Sequence, residues 1–164
     1  LQANRALIRR ILSADEATFN RNGINNTRNS HQWMHDNPHA TVETKFQDRF
    51  SVNVWAGIID NILVGPFVLP QRVTGETYLN FLKNDLPTVL EDIPLAIRLF
   101  IWLQHDGAPV HATRQVQHHL NKTYSHRWIG RGGRVHKPHR SPDLTPNDYC
   151  LWGWMKNIVY KRPH

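Results

Sequence analysis

The sequence predicts a mixed α/β domain, a single sheet with helices on its faces, and three observations carry that expectation. Arg49 to Leu69, "RFSVNVWAGIIDNILVGPFVL", is rich in Val, Ile, Phe and Trp, with breakers at Gly57, Asp60-Asn61 and Gly65-Pro66. That reads as two or three strands joined by tight turns, one of them at Asp60-Asn61. From there to the C-terminus helical and strand-like segments alternate, as they do when helices cover a sheet. The chain's 164 residues are 40% hydrophobic and include six Trp, six Phe and four Tyr, enough for one domain with a sizeable core.

The elements follow in order. Ala6 to Leu12, "ALIRRIL", is apolar around two arginines and leads into "SADEATFN", which predicts a strand ending at the acids or a short helix. Asn20 to Thr44, with "NGINNTRNS" and "DNPH", is too polar for core and reads as a long loop or a hairpin with mobile connections. Thr74 is placed as an N-cap, and Tyr78, Leu82, Leu86 and Leu90 recur four apart on one helical face. Pro87 interrupts that face and predicts a kink or a restart. The unbroken apolar run "IRLFIWLQ", Ile97 to Gln104, predicts a strand covered on both faces. Pro109 suits the first turn of a new helix whose buried stripe is Ala112, Val116 and Leu120. "RWIGRGG" offers a short strand and a glycine turn. "SPDLTPNDYCLWGWMKNIVY" opens with turn chemistry and becomes helical, with Leu151, Met155 and Val159 four apart.

Composition narrows the function classes. Twenty Lys and Arg against thirteen Asp and Glu give a net charge of +7, which suits a polyanionic partner, although many soluble domains are basic without one. No apolar run approaches the length that crosses a membrane. Cys150 is the only cysteine, so there is no internal disulfide and no cysteine set for zinc, and a reducing compartment is expected. Eleven His without cysteines or a His-Glu-x-x-His helix disfavour zinc further. The chain begins at Leu1 without a signal-peptide pattern and stops at "KRPH", which reads as a piece of a larger protein or a decayed gene copy.

Three acids carry the chemical interest: Asp15 in "SADEATF", Asp106 in "LQHDGAP" and Asp148 in "SPDLTPNDY". Phosphoryl transfer on a nucleic acid uses two divalent cations about 4 Å apart. Hard ions such as magnesium take oxygen ligands, so carboxylates from separate parts of the chain would supply them. Each acid also has an ordinary structural role to offer. Ser13 with Glu16 fits a capping box around Asp15, Asp106 can cap the turn before Pro109, and Asp148 follows Thr145-Pro146 at a good helix start.

"SADEATF", "WLQHDGAPVHATRQV", "WIGRGG" and "RSPDLTPNDYCLWGWMK", in that order, resemble the catalytic core of the mariner/Tc1-like transposases, over almost the whole chain from about Arg9 to Tyr160. The resemblance implies a ribonuclease-H-like fold. It implies an acid triad, Asp15, Asp106 and Asp148, holding two Mg2+ or Mn2+ ions, and a reaction that cuts transposon ends and joins them to target DNA. In the family pattern the third acid follows the second proline by two residues, which selects Asp148 over Asp143. The spacing 148 − 106 = 42 is longer than in the best-known members, with the extra length around "SHRWIGRGGRVHKPHR". The family's N-terminal pair of helix-turn-helix domains and its C-terminal continuation have no counterpart here, so residues 1–164 are expected to be a single catalytic domain unable to transpose alone. A homodimer and a nuclear location are expected by the same analogy.

The other candidates are less specific. Arg127, Arg131, Arg134, Lys137 and Arg140 gather around glycines in "HRWIGRGGRVHKPHR", a basic loop that can contact phosphates or simply be solvated. Glu16 can modulate the metal site or be a solvated charge. His105 and His111 flank Asp106 and read as hydrogen-bonded neighbours of a site or surface groups rather than ligands. Trp102, Trp128, Trp152 and Trp154 read as core rather than as base-stacking platforms. The competing function is a decayed or co-opted module of the same fold that binds nucleic acid without cutting it. A ribonuclease H or another nuclease of this fold is a third, which the "HDGAP" and "SPDLTP" blocks argue against.

Overall fold

The computed structural model describes residues 7–20, 50–135, 137 and 146–161. A five-stranded sheet is built from β1 (Ile11–Asn20), β2 (Ser51–Ile59), β3 (Ile62–Leu69), β4 (Trp102–Gln104) and β5 (Trp128–Ile129), in the order β3-β2-β1-β4-β5. β2 runs antiparallel to both β1 and β3, while β4 pairs in parallel with both β1 and β5. The mixed sheet with helices on its faces is therefore the architecture the sequence predicts. Asp60, at φ 53, and Asn61 make the tight β2–β3 turn where expected. Gly57 and Gly65-Pro66 do not break the strands; the β2–β3 ladder absorbs them in a register shift between Trp55 and Gly57.

The first helical segment is α1 (Gly75–Asn80), continued by a π turn (Phe81–Asp85) and α2 (Leu86–Val89). Thr74 caps it as predicted, accepting from the Thr77 N–H while the Thr77 hydroxyl accepts from the Thr74 N–H. Tyr78, Leu82, Leu86 and Leu90 are all buried, and the expected disturbance at Pro87 takes the form of the wider π turn just before it. α3 (Leu95–Arg98) then leads to β4, α4 (Arg114–Tyr124) links β4 to β5, and a second π turn (Asn147–Leu151) runs into α5 (Trp152–Tyr160).

Two expectations about this half are corrected. The apolar run from Ile97 is not one strand: it starts in α3 after Pro94, exposes Leu99 and Phe100, and becomes strand only at Trp102. Hydrophobicity alone does not separate a helical turn from a buried strand. Pro109 does not open a helix either. It lies in a turn, and α4 begins five residues on, where the Thr113 hydroxyl accepts the Val116 N–H; Val116 and Leu120 are its fully buried residues.

The pleat of β1 divides the core. Leu12 and Ala14 face Trp55, Tyr78, Phe81, Leu103, Val116, Leu120 and Trp128 beneath α1 and α4. Ala17 and the neighbouring Phe19 face Leu151 and Trp152 beneath α5. Burying one such aliphatic side chain contributes about 1.5–3 kcal/mol, so both helical layers are held by β1. Trp128 and Trp152 are core, as expected, and Trp102 is half-buried; Trp154 is exposed, because α5 covers the sheet with only one face. Of the loop predicted for Asn20 to Thr44, Asn20 is instead the last residue of β1, paired with Ser51, and the rest lies outside the described residues.

Candidate active site

Asp15 does not end β1 or start a helix; it lies in the middle of a ten-residue strand, paired opposite Ala56. The capping-box alternative through Ser13 and Glu16 is thereby excluded, since both are strand residues too. Strand alternation sends Asp15 and Glu16 to opposite faces of the sheet. Asp15 joins the α5 side, where the Trp152 indole Nε1 donates to its Oδ2 at 2.7 Å. Glu16 joins the α1/α4 side, where its Oε1 is 3.4 Å from His111 Nε2.

Asp106 lies two residues past β4, at the carboxyl end of a strand flanked on both sides, the usual place for a site in an α/β sheet. The parallel register pairs Ser13 with Gln104, and two residues further along the same offset are Asp15 and Asp106. The Asp106 Oδ1 accepts the Ala108 N–H at 2.9 Å and lies 2.6 Å from His111 Nδ1. The turn role suggested by the sequence is thus real, and it leaves the carboxylate 45% exposed.

Asp148 is in the first turn of the second π segment and is exposed. Its neighbour Asn147 is fully buried and donates from Nδ2 to the Ala56 carbonyl at 2.9 Å. Ala56 is the strand partner of Asp15, so this bond and the Trp152 bond dock the helix start that carries Asp148 against the part of the sheet that carries Asp15. Asp143, Thr145 and Arg140 fall outside the described residues.

The electrostatics differ from acid to acid. Asp15 is 8% exposed, and its carboxyl is pushed up to about 7. Burial is the main cause; the Trp152 hydrogen bond opposes it, and the charges of Asp148 and Glu16 add to it. Asp106 is held down at about 2, because His111 and the Ala108 N–H outweigh the effect of its burial. His111 is only 2% exposed, and burial lowers it, yet Asp106 and Glu16 hold it up at about 9. Its ring packs on Tyr78 at 4.1 Å between centroids and stacks on His105 at 4.9 Å and 11°.

His105 is as deeply buried but behaves oppositely, pushed down to about 3 by burial and by the neighbouring His111. Tyr78 Oη lies 3.3 Å from its Nδ1. Gly130 is required beside it, since a Cβ there would run into the His105 ring. Both histidines are therefore interior groups of the site, not surface groups.

An oxygen-rich group with one imidazole, Glu16, Asp106 and His111, has its ligand atoms within 4.8 Å of one another. The buried Asp15 near the Asp148 charge is the other acidic focus. Among the described residues the predicted triad Asp15, Asp106 and Asp148 is not itself gathered within that distance. Asp15 nonetheless suits a divalent cation, since a carboxylate held up to about 7 by burial and by like charges is the group a cation would relieve, and hard ions take carboxylate oxygen.

The basic candidates separate. Arg127 is half-buried, and its backbone is tied into the sheet, its N–H donating to the Tyr124 carbonyl and its own carbonyl accepting the Leu103 N–H. Arg131 and Arg134 are exposed around Gly132, whose φ of 89 favours glycine, and Lys137 is half-buried. A second basic surface has no signature in the sequence: a groove of about 900 Å³ between α1 and α4 is lined by Glu76, Lys83, Arg114, His118, His119 and Lys122. Its cations come from two helices, so only the fold assembles them.

Comparison of the sequence with protein-family models and with curated proteins gives no match. Among solved structures, the chain is similar to the Mos1 transposase catalytic domain solved with raltegravir and Mg, at 19% identity and a TM-score of 0.66, over 99% of this chain and 67% of that one. It is similar to Mos1 transposase in a paired-end complex with the left transposon end, at 20% identity and a TM-score of 0.64. The Mos1 strand transfer complex gives 20% and 0.64 as well. In both complexes the match covers 96% of this chain but 44% of the Mos1 chain, so this chain spans less than half the length of the transposase in those assemblies. At this level of identity the likeness establishes the fold: the chain has the ribonuclease-H-like fold of the Mos1 catalytic domain, a mixed five-stranded sheet flanked by helices.

Proposed function

We propose that this chain is the catalytic core of a mariner-type cut-and-paste DNA transposase, a metal-dependent enzyme that cleaves DNA strands and transfers the freed ends. The observation that carries the reading is Asp15: an almost fully buried acid in mid-strand, one strand away from Asp106 and facing the helix start that bears Asp148. Burying an uncompensated carboxylate is unfavourable unless a cation completes the site. The resemblance of the sequence blocks and the fold of the Mos1 catalytic domain point the same way.

Asp15, Asp106 and Asp148 would hold two Mg2+ or Mn2+ ions. Bound there, the ions would make a bound water acidic enough to act near neutral pH and would offset charge on the scissile phosphate. The protein's own contributions are separate. Trp152 fixes Asp15, Asn147 fixes the turn that carries Asp148, and the Ala108 N–H and His111 fix one oxygen of Asp106. Arg131, Arg134, Lys137 and Arg140 would contact DNA phosphates without reading sequence, as would the groove lined by Lys83, Arg114 and Lys122. Transposon ends and target DNA are the proposed partners, a homodimer the proposed assembly and the nucleus the proposed location.

The test is cleavage of labelled supercoiled plasmid by the purified chain with Mg2+ or Mn2+. Nicking that EDTA and Asp106→Asn both abolish supports the reading. Salt-sensitive DNA binding without nicking, equal in both proteins, would favour the non-catalytic DNA-binding module instead.

A further inference from the structure

Asp106 has two carboxylate oxygens, and the fold engages only one of them. Oδ1 takes the Ala108 N–H and sits 2.6 Å from His111 Nδ1; among the described residues no hydrogen bond or ion pair reaches Oδ2. The buried His111 ring is confined by its neighbours, with both nitrogens in ion-pair contact but neither in hydrogen-bond geometry. Its Nε2 faces Glu16 at 3.4 Å, one ring face packs on Tyr78, and the ring stacks on His105. Glu16 reaches it from the face of β1 opposite to that of Asp15.

We propose that His111, braced by Glu16, is a positioning residue for Asp106: it holds Oδ1 so that Oδ2 is presented, already oriented, to the ion shared with Asp15. This rests on the functional reading above. The need for a brace is physical. The terminal torsion of an aspartate is broad, and Asp106 is half exposed beyond the end of its strand in a turn that continues through Gly107. A carboxylate free to rotate there would be ordered only when the ion binds, at the expense of affinity. The pair also accounts for a carboxylate directly after Asp15: the pleat sends Glu16 to the opposite face of β1, where it meets His111.

The test is Mn2+ binding by calorimetry to the purified chain. It compares wild type with His111→Ala, His111→Gln and Glu16→Gln, alongside thermal melts and the Mn2+ dependence of nicking. Losing a partner that orients a metal-binding carboxylate lowers affinity about 10–100-fold, which is the loss expected for His111→Ala. His111→Gln keeps an N–H donor and should recover most of it, and Glu16→Gln, which preserves size and fold, should show a smaller loss. Nicking by His111→Ala should return toward wild type at saturating Mn2+, a change in metal requirement rather than in turnover. Unchanged Mn2+ affinity in both His111→Ala and Glu16→Gln overturns the inference and leaves the functional reading standing. A 14N coupling to bound Mn2+ in pulsed electron paramagnetic resonance of wild type would also overturn it, by making His111 a ligand. If wild type binds no Mn2+, the functional reading falls and the inference falls with it.

Discussion

Trp152 donates its indole N–H to Oδ2 of Asp15 at 2.7 Å, joining residues 137 positions apart. The bond ties α5 to the middle of β1 and opposes the effect of burial on the Asp15 carboxyl. Trp152→Phe removes the donor and keeps most of the packing against Phe19 and Leu151. Hydrogen bonds to charged groups contribute about 1.5–3 kcal/mol, and the substitution is expected to destabilise by an amount in that range at pH 8. It should also move the Asp15 carboxyl further up. Urea denaturation and a pH titration of the Asp15 carboxyl carbon check both effects; unchanged stability would show that the bond contributes nothing.

The pH dependence of the metal-free protein follows chiefly from four groups of the site, Asp15, His111, Asp106 and His105. Asp15 is raised from 3.8 to about 7, so its stabilising contribution is complete below about pH 4 and is lost as pH rises through 7. His111 is raised from 6.5 to about 9, so its contribution is complete below 6.5 and is lost as pH rises through 9. Asp106, lowered from 3.8 to about 2, acts in the opposite sense: its contribution is present above 3.8 and is lost as pH falls through 2. His105, lowered from 6.5 to about 3, acts in the same sense as Asp106, with its contribution present above 6.5 and lost as pH falls through 3. It offsets the Asp15 loss up to about pH 6.5, so the net decline from the site should show between about pH 6.5 and 9.

Asp15→Asn isolates the first of these. An amide matches the neutral acid, so the variant should melt with wild type at pH 4 and several degrees above it at pH 8, since about 1 kcal/mol shifts Tm by roughly 2–4 °C in a domain of this size. Added Mn2+ should raise the wild-type Tm at pH 8 and leave that of the variant nearly unchanged. Melting curves at the two pH values, with and without Mn2+, decide; a wild type that matches the variant at pH 8 without metal would contradict the assignment of a strained buried acid.

The arginines should behave as two classes. Arg131 and Arg134 are exposed beside Gly132, and removing one phosphate-binding cation lowers the salt slope of DNA binding by about 0.9. Arg131→Gln with Arg134→Gln is therefore expected to weaken binding at low salt and flatten log K against log salt by up to about 2. Arg127 is half-buried against the sheet edge, so Arg127→Gln should lower Tm and leave the slope unchanged. Fluorescence anisotropy on a short duplex across a salt series separates the two.

What the sequence makes legible is local chemistry. Thr74, the face of Tyr78, Leu82, Leu86 and Leu90, and the Asp60-Asn61 turn all act through neighbours a few residues away, and all lie where the pattern puts them. β1 is harder to read, because "SADE" carries polar groups on both faces of a strand and resembles a helix start. Its polarity makes sense only once Trp152 and His111 are seen on opposite sides of the sheet. The link from Asp106 through His111 to Glu16 depends on the parallel pairing of β1 with β4, which no local pattern reports. The apolar run at Ile97–Gln104 suggests a longer strand than the chain forms, because Leu99 and Phe100 are exposed where a covered strand would bury them.

The most direct test of the central claim, that Asp15, Asp106 and Asp148 together hold the catalytic ions, is anomalous diffraction from crystals of the chain grown with Mn2+. The account predicts manganese peaks coordinated by Asp15 and by Oδ2 of Asp106, with Asp148 completing the set and His111 still on Oδ1. Manganese bound elsewhere, or no peak at saturating Mn2+ with the acids in these positions, would contradict it.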